Sequence, residues 1–255
     1  MSPRVLRLLV AYDGSRYCGW QRQDNGPTIQ AAIEDALLPF SARREGDEAV
    51  PPTVFGAGRT DAGVHALGQV ASVQVETTHS VDVLRRAINV KLDRDIRVLE
   101  VADAPEGFNA RFDAIGKTYR YRMATGPVVS PFAHRYVWPQ PQPLDVDAMR
   151  QAAAGILGRH DFSVFMSAGS DVLDTVRTVD RAELLVCGDE LVFEIHGDGF
   201  LRHMVRAIVG TLVDVGAGRR GPASMAALIA SRDRGQAGDT APAQGLTLVS
   251  VDYRW

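Results

Sequence analysis

Residues 5–12, VLRLLVAY, are an apolar run of strand length, closed by the turn-rich stretch DGSRYCGWQRQDNG. Thr28 then stands where an N-cap belongs. Ile29, Ala32, Ile33, Ala36 and Leu37 recur at helical spacing, which predicts a helix over TIQAAIEDALLPF. A polar linker, SARREGDEAVPP, leads to a short strand at 53–55 and a glycine-rich stretch, VFGAGRTDAGVHALGQVASV at 54–73. Beyond it Ala71, Val73 and Val75 alternate with Ser72, Gln74 and Glu76, a strand near 70–75 with one face buried. Ser80 opens a second helix, VDVLRRAINVKL, and a strand is expected at 95–101. In KTYRYRM, Tyr119, Tyr121 and Met123 face one way while Thr118, Arg120 and Arg122 face the other.

Prolines at 139, 141 and 143 interrupt the pattern within WPQPQPLDVD, at 138–147, and mark a domain joint. The pattern then resumes with a helix near 146–158. A hairpin turns at Gly188 and Asp189, with Leu191, Phe193 and Ile195 on one face. A helix over 200–213 carries the stripe Leu201, Met204, Val205, Ile208 and Leu212. A short helix from Pro222 and an alternating C-terminal strand complete the chain. The second half repeats the character of the first without a sequence repeat at fixed period. This predicts an α+β fold of two similar domains, 1–138 and 139–255, each an antiparallel or mixed sheet with helices on one face.

Composition narrows the function. The chain has 255 residues, 45% of them hydrophobic and 23% charged, enough for real cores and against disorder. No apolar run approaches the roughly 18–20 residues of a membrane span. The start, MSPRVLRLLVAYDG, lacks a signal-peptide pattern, and Cys18 and Cys187 are too few for a disulfide framework. These features point to the cytoplasm. Net charge is -3, yet residues 200–234 hold six arginines against two aspartates. Arginine, with its rigid donor fork, accounts for all but two of the basic residues, Lys91 and Lys117.

The chemistry concentrates in GAGRTDAGVHA. Glycines at 56, 58 and 63 let another molecule approach closely, and Asp61 lies between two apolar elements. Spacing alone leaves two readings of Asp61, a turn residue bonding its own backbone or a functional carboxylate. Arg59 either pairs with Asp61 or reaches out to a phosphate or base, and His65 is either a base or a turn residue. The stretch matches neither the phosphate loop nor the dinucleotide loop, and no zinc signature or G-x-S-x-G elbow occurs. Arg202 and Arg206, four apart on the expected helix, either rim it in solvent or face a ligand. Tyr119 either packs in the core or stacks on a base. Tyr12, Tyr17 and Trp20, interleaved with Arg16 and Arg22, suit a nucleic-acid surface.

Seven segments together resemble the tRNA pseudouridine synthases that modify the anticodon stem-loop. They are YDGSRYCGWQRQ (12–23), TIQAAIEDAL (28–37), GAGRTDAGVHALGQV (56–70), FNARFDAIGKTYRYR (108–122), HDFSVF (160–165), GDGFLRHMVRAIVGTL (197–212) and APAQGLTLVSVDY (241–253). They run in family order over nearly the whole chain. The resemblance implies Asp61 as nucleophile, Arg59 as the arginine that helps displace the target base, and Tyr119 as the ring on the target uracil. It implies Arg206 as the partner of the catalytic aspartate and Leu246 as a wall of the uridine pocket. Arg16, Arg22, His65 and Arg202 become candidate RNA contacts. It further implies sheets meeting around a central RNA-binding cleft, a homodimer gripping tRNA across both subunits, no cofactor, and uridines 38–40 as targets. NVKLDRDIRV (89–98) lacks a proline often found in relatives, Arg202 stands where some have histidine, and SAGSDVLDTVRTV (167–179) is a variable loop. Attack on uracil C6 and action at C1′ both fit an aspartate nucleophile. Two rivals remain: an RNA-binding module without catalysis, and a hydrolase using Asp61 and His65.

Overall fold

A computed structural model describes residues 3–40, 50–167, 169 and 172–254. Most of the expected polar linker, 41–49, and positions 168, 170 and 171 of the variable loop lie outside the described residues. The chain divides into two compact units, residues 1–115 with 248–255, and 116–247.

In the first unit β1 (Arg4–Tyr12) is central. It pairs antiparallel with β3 (His65–Val75), Leu8 opposite Ala71, and with β4 (Ile96–Asp103), Leu8 opposite Val101. The two-residue period explains why Leu6, Leu8, Val10 and Tyr12 are buried while Arg7 turns outward to Glu100. The short β2 (Val54–Gly56) also pairs with β3, and β10 (Leu246–Tyr253) returns from the far end of the chain to complete the order β4-β1-β3-β10. The helices α1 (Ile29–Leu37) and α2 (Val81–Lys91) bury Ile29, Ile33, Ala36 and Leu37, and Leu84 and Ile88. Thr28 caps α1 by accepting from Ala31 N at 3.3 Å; Ser80 caps α2 by position, without a side-chain bond.

In the second unit β5 (Ala114–Ala124) pairs antiparallel with β9 (Glu190–Gly197), setting Tyr119 opposite Ile195, Tyr121 opposite Phe193 and Met123 opposite Leu191. β8 (Val176–Cys187) forms the expected hairpin with β9. β7 (Gly158–Asp161) extends the sheet, and β6 (Trp138–Pro139) adds a parallel edge to β5. Helix α4 (Met204–Gly216) is buried over most of its length, with α3 (Val146–Ala154) against it and α5 (Ser224–Ser231) against α3. Both units are α+β, with helices on one face of the sheet. No helix among the described residues is long and apolar enough to cross a membrane.

Three expectations differ from the structure. The division falls within β5 and β10, so the proline segment lies inside the second unit, where Pro139 is tolerated because its strand is a two-residue edge. Strand β3 begins at His65, five residues before the alternation becomes clear. Gly68 sits inside it because a Cβ there would lie 2.5 Å from Val249 O. Helix α4 begins at Met204, not at 200. His203 adopts the left-handed conformation, φ 62, and its carbonyl accepts the first helical bond from Ala207 N.

Candidate active site

Asp61 lies on the turn between β2 and β3. Thr60 O accepts from Trp20 N at 3.0 Å, and Asp61 O accepts from Val64 N at 3.1 Å across Gly63, whose φ of +79 closes the turn. The Asp61 side chain is half-buried and that of Arg59 exposed. The segment 13–20 lies flat behind this turn. A Cβ on Gly14 would meet Val64 O at 2.0 Å, and one on Gly19 would meet Thr60 O at 2.5 Å and Asp61 C at 3.1 Å. Only glycine lets two backbones approach so closely.

The segment 13–20 is itself anchored. Asp95, between α2 and β4, accepts from the Tyr17 hydroxyl at 2.8 Å and from Arg16 Nε at 2.8 Å, and its carbonyl takes Asp13 N. Burial, followed by the Asp95 carboxylate, pushes the Tyr17 phenol well above its ordinary range, so it remains a donor. Tyr12, Tyr17 and Trp20 are 4%, 8% and 2% exposed. These rings therefore support the Asp61 turn from behind and are not the open stacking surface their interleaving with arginines suggests. Burial costs a ring nothing and satisfies its polar tip when a partner is near, as Thr60 and Asp95 are.

His65 belongs to the same support. It is buried; its Nδ1 accepts from Gly14 N at 3.1 Å and lies 3.2 Å from the Asp13 carboxylate. Arg16 is exposed but engaged with Asp93 and Asp95. Arg22 donates to Glu34 at 2.7 Å and to Asp35 at 3.1 Å. Glu34 is buried and also accepts from Gln30 and from Val54 N, so this group ties the segment and β2 to α1.

In the second unit Tyr119 is buried with its ring edge-on to Phe200, centroids 5.2 Å apart. Arg206, on the first turn of α4, donates through Nε to Ala241 O at 2.7 Å, and Ala241 N returns a bond to Arg206 O. The segment 238–246 is thereby laid along α4, where a Cβ on Gly210 would meet Asp239 O at 1.8 Å. The same segment covers Tyr121, whose hydroxyl donates to Pro242 O at 2.8 Å, and delivers Leu246 buried at the start of β10. Arg202 is not on the helix; it is exposed, donates to Gly169 O, and its carbonyl accepts from Ser167 N. Of the arginines in 200–234, Arg219 and Arg220 both pair with Asp214, and Arg232 pairs with Asp161. The local excess is thus partly spent within the fold.

The structure therefore places Asp61, Arg59 and His65 on one turn and its support, and Arg206, Leu246 and Tyr121 around the segment 238–246. The sequence reading missed Gly14, Gly19, Gln69 and Asp95. None of the four carried a local signal, because each acts on a residue far away in the chain.

The family model described as "tRNA pseudouridine synthase" matches residues 8–113 and 152–254. Curated "tRNA pseudouridine synthase A" proteins align along nearly the whole chain. That of Syntrophotalea carbinolica is 43% identical over 249 residues, covering 98% of this chain and 96% of its own. That of Halalkalibacterium halodurans is 44% identical, covering 94% and 89%, and that of Brevibacillus brevis 45% identical, covering 97% and 99%.

Proposed function

The chain belongs to the tRNA pseudouridine synthase family, and on that footing we propose that it isomerises uridines 38–40 of the tRNA anticodon stem-loop, with Asp61 as nucleophile and no cofactor. The family is one of isomerases. The glycosidic N1–C1′ bond breaks, the uracil turns over, and C5 bonds to C1′; the proton lost from C5 is balanced by one gained at N1. Atoms are conserved and nothing is oxidised or reduced, so the step needs a nucleophile, a pocket that retains the uracil and a means of extruding the base.

The observation that carries the proposal is the Asp61 turn. Its backbone is fixed by Trp20 N and Val64 N and backed by glycines, while the carboxylate stays half-buried. That is a pre-organised nucleophile, held where a substrate can reach it. Arg59, two residues away and exposed, is suited to occupy the space of a base leaving its stack, an extrusion that costs a few kcal/mol. Tyr119, Arg206 and Leu246 take the roles that the resemblance implies: ring on the uracil, partner of the aspartate, and pocket wall. The active species is proposed to be a homodimer with tRNA held across both subunits, which sedimentation velocity over a dilution series tests; full activity as a monomer refutes it.

The deciding experiment incubates the protein with an unmodified tRNA transcript and measures nucleosides and RNA mass. Pseudouridine at positions 38–40 with unchanged mass is expected, whereas loss of the base would indicate hydrolysis. Asp61→Asn should bind tRNA and form no pseudouridine; an Asp61→Asn protein that turns over at the parent rate overturns the assignment.

A further inference from the structure

Gly58 and Thr60 flank Arg59 and lead into Asp61, and both are held by side chains from strands behind the turn. The Tyr12 hydroxyl and Thr60 Oγ1 are 2.9 Å apart, and Gln69 Nε2 donates to Gly58 O at 2.9 Å. The register explains how Tyr12 and Gln69 come together. Val10 of β1 is opposite Gln69 of β3, and residues directly opposite share a face of the sheet. Tyr12 is two residues beyond Val10, so it lies on that face too. A register shift between Val10 and Tyr12 then sets Tyr12 opposite Ala66, bending the strands where the turn begins.

Hydrogen-bond accounting orders the group. Gln69 is fully buried, and its Oε1 has no partner among the described residues. Its amide nitrogen donates to Gly58 O. Burial pushes the Tyr12 phenol up to about 12, with Thr60 and Gln69 acting the other way, so it keeps its proton and shares one hydrogen bond with the Thr60 hydroxyl. The fold thus keeps the bond to Gly58 O while leaving a buried amide oxygen without a partner among the described residues, an arrangement that is costly.

We propose that Tyr12 and Gln69 are positioning residues for the isomerisation, a pair of buried hydrogen bonds from one face of the sheet that fixes the turn on both sides of Arg59 and so sets the aim of Asp61. Gln69 holds Gly58 through its carbonyl and Tyr12 holds Thr60 through its hydroxyl. Tyr12 and Gln69 are both buried, so neither offers RNA a surface. Their loss acts on the chemical step and not on tRNA binding.

The inference rests on Asp61 as nucleophile, and the experiment separates the two. Single-turnover pseudouridine formation at saturating enzyme, and tRNA affinity by filter binding, are measured for Asp61→Asn, Tyr12→Phe, Gln69→Leu, the Tyr12→Phe/Gln69→Leu double variant, Thr60→Val and Thr60→Ser. Tyr12→Phe, Gln69→Leu and Thr60→Val should each slow the step by about five- to tenfold, the scale of one hydrogen bond, with affinity within about twofold. Thr60→Ser, which keeps the hydroxyl, should restore the rate. The double variant should be little slower than the worse single one, as for parts of one unit. Rates unchanged in Tyr12→Phe and Thr60→Val, losses that multiply in the double variant, or losses that appear only in affinity overturn the inference. An active Asp61→Asn overturns the nucleophile assignment instead.

Discussion

A single methyl group at Gly19 tests whether the segment behind the turn sets the position of Asp61. Gly19 has φ +97, and a Cβ there would lie 2.5 Å from Thr60 O, 3.1 Å from Asp61 C and 3.2 Å from Ala62 N. All three are backbone atoms, held by the bonds from Trp20 N and Val64 N, so no flexible side chain can absorb the contact. Ordinary contact begins at 3.4 Å, so the two segments must part by about 0.9 Å. Shared between them, this moves the turn by about 0.5 Å, and since a 1 Å misplacement can cost about a hundredfold in rate, roughly tenfold is expected. Separately, a left-handed backbone costs an L-residue about 1–2 kcal/mol. Gly107→Ala isolates that second cost, because Gly107 has φ +81 and nothing within 4 Å of its Cβ position. Gly107→Ala should lose about 1–2 kcal/mol in denaturant unfolding and keep the parent rate. Gly19→Ala should lose more stability and slow single-turnover pseudouridine formation about tenfold, with tRNA affinity nearly unchanged. Equal single-turnover rates for the two variants would refute the idea that the segment 13–20 aims the aspartate.

Other consequences are local. Tyr17→Phe removes the 2.8 Å bond to Asp95 and should cost about 1 kcal/mol of stability, read by denaturant unfolding. Glu34→Leu leaves Val54 N without its acceptor and takes one of two from the Gln30 amide, and should cost about 1–3 kcal/mol, more than Arg22→Ala, whose side chain is partly in water. The Asp161 carboxyl is held below its ordinary value of 3.8, first by the Thr175 hydroxyl, despite opposing burial. A depressed folded pKa adds stability above the unfolded value that is lost as pH falls through the folded one. Asp161→Asn should therefore be less stable than the parent at pH 7, with the gap closing below about pH 3.8. The affinity for tRNA should fall linearly in log–log form with salt, and a flat response would argue against phosphate contacts.

What the sequence made legible is what local pattern controls. The strand VLRLLVAY, the helix behind Thr28, the hairpin at Gly188 and the Asp61 turn all lie where period and turn chemistry put them. What stayed hidden depends on segments far apart in the chain. Tyr12, Tyr17 and Trp20 read as a surface because they stand among arginines, yet they are buried, because the glycines between them let the segment lie flat on the turn at 60–64. The prolines at 139, 141 and 143 are a strong local break, but a compact unit is set by pairing between distant strands, and β10 carries the end of the chain back to the first unit. Leu201 shows why the start of α4 was misplaced. It is buried, so it extends the apolar stripe by one helical step, but the backbone turns left-handed at His203 and the helix begins after it. Burial and helicity give the same apolar signal, and only the backbone separates them. The same reasoning applies to the site. The type and place of Asp61 could be read from GRTDAG, whereas the groups that hold it, Gly19, Gln69 and Tyr12, look like ordinary loop and strand residues until the fold brings them to its back.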